Sequence, residues 1–107
     1  MEIVYGEGLF IEESATHKGI ITLGEHKLFL KTPESDLTRT YIPLEKIESI
    51  KLSGCHLSVF VRPGAAFFFT VMIKGENRKI KQLTHELVRR RCLKKRFLRQ
   101  QWYEIKR

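Results

Sequence analysis

Long apolar runs are missing from this chain. The longest, Ala65-Ala66-Phe67-Phe68-Phe69, resumes after Thr70 as Val71-Met72-Ile73. That is strand length, far below the ~18 uninterrupted apolar residues of a membrane span. Cysteine is scarce. Cys55 and Cys92 stand in unrelated contexts and make no disulfide framework, so a reducing compartment, the cytoplasm, is expected. The opening Met1-Glu2-Ile3-Val4-Tyr5 lacks a basic leader ahead of an apolar core, so no signal peptide is expected. Glycine and proline, present through residue 75, vanish from residue 76 onward. Acids thin out in the same segment. Residues 76–107 hold twelve Lys/Arg and three Asp/Glu, against eight and nine in residues 1–75. The net charges are +9 and −1, and together they make the chain's +8. Such an asymmetry speaks about partners rather than fold.

Catalytic patterns are absent as well. There is no G-x-S-x-G, no H-E-x-x-H, no Walker-type glycine loop and no glycine-rich dinucleotide turn. The neighbours Cys55 and His56 would point to opposite faces of a strand, which defeats a nucleophile–base pair. His17, His26, His56 and His85 show no H-x-x-x-H spacing, and the cysteines no C-x-x-C. A non-enzymatic chain without metal, cofactor or small-molecule substrate is the expectation.

What is present reads as a β-rich domain. At 107 residues and 42% apolar content, one folded domain is expected. Short β-prone segments recur: Leu9-Phe10-Ile11, Ile20-Ile21-Thr22-Leu23, residues 26–31, residues 47–52, residues 57–61 and residues 67–73. Leu57, Val59 and Val61 alternate with Ser58, Phe60 and Arg62, the period of a half-buried strand. Turn residues fall between them at Gly24-Glu25, Thr32-Pro33-Glu34-Ser35-Asp36, Ser53-Gly54 and Arg62-Pro63-Gly64-Ala65. This spacing predicts antiparallel sheets, and no helical pattern separates the strands as a parallel α/β fold would require.

From about Asn77 the composition turns to Leu, Arg, Lys, Gln and Glu, all good helix formers. Ile80, Leu83, Leu87 and Val88 have the i, i+3, i+7, i+8 spacing of a buried stripe. With no breaker before the end, one helix over about 30 residues is predicted, ~45 Å long. Only its first turns could lie on a domain whose radius of gyration is near 13 Å. The stripe is interrupted by Arg91, Lys94 and Lys95. Phe97, Leu98, Trp102 and Ile105 then form a second apolar patch, which needs a partner.

The order resembles the pleckstrin-homology and GRAM-like superfold. Gly8-Leu9-Phe10, then Gly19-Ile20-Ile21-Thr22-Leu23 and Lys27-Leu28-Phe29-Leu30, look like its opening strands. Tyr41-Ile42-Pro43-Leu44-Glu45-Lys46-Ile47-Glu48-Ser49-Ile50 looks like its I-P-L-x-x-I-x-x-I segment, and Phe67-Phe68-Phe69 like its last strand. The likeness covers residues 8–90. It implies a mainly β (α+β) fold: an antiparallel seven-stranded PH-like barrel with one open corner, capped by one long C-terminal α-helix. Residues 1–90 would be the barrel with the start of the capping helix, plugged by Ile80, Leu83 and Leu87. Residues 91–107 would be a basic distal extension.

Some relatives of this kind bind phosphoinositides through a basic motif on the first two strands. Here that region offers Lys18 and Lys27 beside Glu12, Glu13 and Glu25, so no headgroup pocket is carried over. Others bind peptides or partner helices. The expected function is therefore a binding or adaptor module. Its anion- or partner-binding residues would be Arg89, Arg90, Arg91, Lys94, Lys95, Arg96 and Arg99, with Phe97, Leu98, Trp102 and Ile105 as apolar contacts. A protein partner or a homo-oligomer leads. Peripheral binding to anionic membrane lipid is the alternative, and non-specific nucleic-acid binding follows, since no base-reading motif is visible.

Overall fold

The structure is a computed structural model that describes residues 2–13, 15–31, 41–64, 67–95 and 101–104. It is mostly β with one helix. The strands are β1 (Ile3–Ile11), β2 (Thr16–Leu23), β3 (Lys27–Lys31), β4 (Tyr41–Pro43), β5 (Ile47–Ser53), β6 (His56–Gly64) and β7 (Phe67–Gly75). A single-turn 3-10 helix, Leu44–Lys46, joins β4 to β5. The helix α1 (Asn77–Arg91) follows, then β8 (Lys94–Lys95) and β9 (Gln101–Glu104). The strands form one antiparallel sheet in the order β4-β3-β2-β1-β7-β6-β5-β9-β8. The expected seven-stranded barrel with one open corner is corrected accordingly. Among the described residues there are nine strands, and the sheet they form is open, with β4 and β8 as its edges.

One core nevertheless serves the whole sheet. Buried side chains from β1, β2, β3, β5, β6 and β7 fall in a single cluster with those of α1. β1 makes this possible. Its upper half pairs with β7 only from Gly8 to Ile11, while it pairs with β2 along most of its length. Between Val4 and Glu7 the register shifts, and Gly6 there has φ of 83°. This left-handed conformation suits glycine and bends the strand. The bulge also puts Tyr5 and Phe10, five positions apart, both in the core, where unbroken alternation would separate them. Gly8 lies where β1 crosses β7. A Cβ there would come within 2.6 Å of the Lys74 carbonyl oxygen, so the close approach needs glycine.

α1 closes the core. Ile80, Leu83 and Leu87 are fully buried, and Thr84 joins them by donating its hydroxyl to the Ile80 carbonyl at 2.8 Å. The long helix does not form. α1 has 15 residues, ~22 Å, and stops at Arg91. Cys92 takes the left-handed conformation with φ 52° and ψ 43°. Its N–H bonds to the Arg89 carbonyl at 3.3 Å, and the Leu93 N–H bonds to the Val88 carbonyl at 3.0 Å. This pair of bonds is a Schellman ending, and its usual apolar partner is Leu93, buried to 6% exposure. Burying Leu93 turns the chain back, because position 93 falls off the helix face that carries Leu83 and Leu87.

Candidate docking surface

The arginine run divides at the helix end. Arg90 Nη1 donates to the Gly24 carbonyl oxygen at 2.6 Å. Arg91 donates to the Ile47 carbonyl oxygen from Nε at 3.2 Å and Nη2 at 2.9 Å. Two of the five arginines expected to bind an outside anion are thus turned onto the domain itself. They also sit where the helix dipole favours cations. Arg89 is different. Its side chain is 72% exposed and pairs with Glu86, with Nε 2.7 Å from Oε1.

The outward side of α1 continues this cationic surface. Arg78, Lys81, Gln82, His85 and Arg89 are exposed, at spacings that place them opposite Ile80, Leu83 and Leu87. Glu86 is the one acid within α1, and it is half-buried and tied to Arg89 and Arg90. Arg78, Lys79 and Lys81 form no ion pair among the described residues. On β8, Lys94 and Lys95 are both exposed and likewise without an ion pair there. Sequence reading concentrated on residues 89–99 and missed Arg78 and Lys81. Their signal was their helical spacing opposite the apolar stripe.

Trp102 lies in β9, which pairs with β5 through Ser49↔Glu104, Ile50↔Tyr103, Lys51↔Trp102 and Leu52↔Gln101. Its ring stacks on Phe60 of β6, with centroids 5.4 Å apart and planes 8° from parallel. Lys51 Nζ lies 5.9 Å from the Trp102 ring centroid. Ser49 pairs with both Phe60 and Glu104, so a small residue of β5 lies between the strands that carry the two rings. Tyr103 turns the other way and packs against the core. The expectation that Trp102 leaves the domain on a helix is therefore overturned: the sheet itself covers it. Arg96, Phe97, Leu98, Arg99 and Ile105 lie outside the described residues.

A cleft of about 410 Å³ opens beside the helix end, lined by Glu25, His26, Leu44, Glu45, Arg90 and Arg91. Three elements meet there: the β2–β3 turn, the 3-10 helix and the end of α1. The Leu44 N–H donates to the His26 carbonyl at 2.9 Å and joins the first two. The Arg90 and Arg91 bonds tie the third to Gly24 and to Ile47. Behind the helix, burial pushes the Tyr5 phenol above its ordinary value. Glu86 adds to the rise, and Arg90 opposes it.

Among the described residues no group of three or more His, Cys, Asp or Glu is placed to hold a metal ion. Cys55 and Cys92 are free thiols. No described helix is long and apolar enough to cross a membrane. Compared with known proteins, the chain matches no family model and no curated sequence.

Proposed function

We propose that this chain is a non-enzymatic adaptor module of PH-like architecture that docks an acidic protein surface on the outward side of α1 and on β8. Seven successive antiparallel strands followed by a helix that plugs their core support the PH-like reading. The observation that carries the docking reading is the one-signed charge of the exposed helix side. Arg78, Lys81 and Arg89, continued by Lys94 and Lys95, meet no exposed acid within α1. Charge of one sign on a rigid element steers and orients a complementary partner. Interfacial insertion into a membrane needs an apolar helix face, and that of α1 is spent on the core. Among the described residues, the large exposed hydrophobics, Val4, Tyr41 and Met72, lie elsewhere. α1 ends at Arg91, so it offers no long helix along which two copies could pair.

Fluorescence anisotropy with labelled Glu/Asp-rich peptides tests this reading, alongside anionic vesicles and single-stranded DNA. The expected result is peptide binding that weakens with salt and drops about tenfold or more in an R78E/K81E variant. Tighter binding to vesicles or DNA, or a variant that binds like the parent, would reject it. Sedimentation over a concentration series separates a partner protein from a second copy.

A further inference from the structure

We propose that the cleft between the β2–β3 turn, the 3-10 helix and the end of α1 binds a small phosphate monoester that also carries an ammonium group, of the phosphoethanolamine type. The site is separate from the outward side of α1 and does not depend on what docks there. Its volume, about 410 Å³, lies in the range of ligand pockets. Its walls are cross-linked before any ligand arrives. Leu44 is bonded to His26, Arg90 to Gly24 and Arg91 to Ile47. Such a frame loses little freedom on binding.

Both guanidinium groups are held by neutral carbonyls, which fix their orientation without cancelling their charge. Each keeps donors. Nη2 of Arg90 and Nη1 of Arg91 donate to no protein acceptor among the described residues. Glu86 does not neutralise Arg90 fully, since its closer contacts are with Arg89 and its distance to Arg90 Nε is 3.7 Å. Two cationic forks match a phosphate monoester, which carries about −1.5 to −2 and three acceptor oxygens, better than a single carboxylate.

The acids decide the rest of the ligand. The exposed Glu45 stands on the same cleft beside Glu25, whose carboxylate also lies 3.8 Å from His26 Nε2. They would repel a bare anion and attract an ammonium group held a few bonds from the phosphate. Inorganic phosphate satisfies only the arginine half of the site. Phosphoethanolamine satisfies both halves.

NMR titration of the labelled full chain with O-phosphoethanolamine, inorganic phosphate and ethanolamine tests the assignment. Saturable shifts at Gly24, Glu25, His26, Leu44, Glu45, Arg90 and Arg91 are expected. Phosphoethanolamine should bind about fivefold or more tighter than inorganic phosphate. Arg91→Gln should weaken both by about tenfold. The E25Q/E45Q variant alters only rim side chains and should erase the preference while leaving phosphate itself no weaker. It therefore carries the test even if Arg91→Gln unfolds. A vesicle arm separates the sources. Phosphatidylethanolamine presents a phosphodiester with a single charge and two free oxygens, so its vesicles should not compete with the free monoester, and vesicles that do compete would overturn the proposal. Absence of saturable shifts overturns the proposal. So do equal affinities for the two phosphates, shifts centred on Arg78, Lys81 and His85, or a preference that survives E25Q/E45Q.

Discussion

Arg91 and Ile47, 44 positions apart in sequence, are joined by two hydrogen bonds from one guanidinium to one carbonyl oxygen. Ile47 begins β5, the strand that pairs with β6 on one side and β9 on the other. The end of α1 is thereby fastened to the strand that receives the returning chain. The arrangement makes Arg91 a structural residue first.

Arg91→Ala should lower the unfolding free energy by about 2 kcal/mol, the scale of a charged hydrogen bond to a buried carbonyl. Arg91→Lys should recover less than half of that, because an ammonium cannot donate from two fixed nitrogens. Urea denaturation at neutral pH measures both. An unchanged midpoint for Arg91→Ala would mean that water replaces the guanidinium without cost.

Cys92 is the one non-glycine residue with positive φ among the described residues. A Cβ in that conformation costs roughly 1–2 kcal/mol, and glycine would return part of it through its freer unfolded chain. Cys92→Gly should therefore stabilise the protein by about 0.5–1 kcal/mol. Cys92→Val, β-branched, should destabilise it. Equal melting temperatures for the two variants would contradict a left-handed helix end at this position.

Phe60 and Trp102 hold β9 to the outer side of the sheet. Trp102 is the chain's single tryptophan, so the fluorescence reports the surroundings of this one ring, which stacks on Phe60. Phe60→Leu should change the emission of Trp102 and speed hydrogen exchange in β9 more than in β6. A double-mutant cycle on the pair should give a coupling of about 0.5–1.5 kcal/mol. A cycle that closes to zero would show that the rings do not meet in solution.

The Tyr5 phenol, raised by burial and by Glu86 against the opposing Arg90, holds its proton more tightly in the folded chain than in the unfolded one. Its contribution to stability is complete below about pH 10 and is lost as the pH rises from the unfolded value through the raised folded one. Stability should thus decline more steeply above pH 10 in the parent than in Tyr5→Phe. Parallel declines, compared by denaturation at several alkaline pH values, would remove the assignment.

Much of the sheet was legible in the residues. Alternation at Leu57, Val59 and Val61 and the β-rich runs at 20–23, 47–52 and 67–73 lie within β2, β5, β6 and β7. The apolar run marks only Leu9-Phe10-Ile11 as the first strand, whereas β1 begins at Ile3. The bulge at Gly6 breaks the alternation that would have revealed its first half. The docking surface was legible only in part. Helical spacing carries Arg78 and Lys81, but their charge is sparse beside the dense cationic run at 89–99.

Local pattern alone determined the β-rich class, the helix start near Asn77 and the side of that helix that bears Ile80, Leu83 and Leu87. These follow from hydrophobic period and turn chemistry, which neighbours in sequence set among themselves. The tertiary structure decided where α1 stops, where Trp102 goes and what Arg90 and Arg91 hold. No glycine marks the stop, so propensity would run the helix on. The gain from burying Leu93, stacking Trp102 on Phe60 and satisfying the Gly24 and Ile47 carbonyls outweighs it. Those partners are remote in sequence and become neighbours only once the sheet has folded around its core.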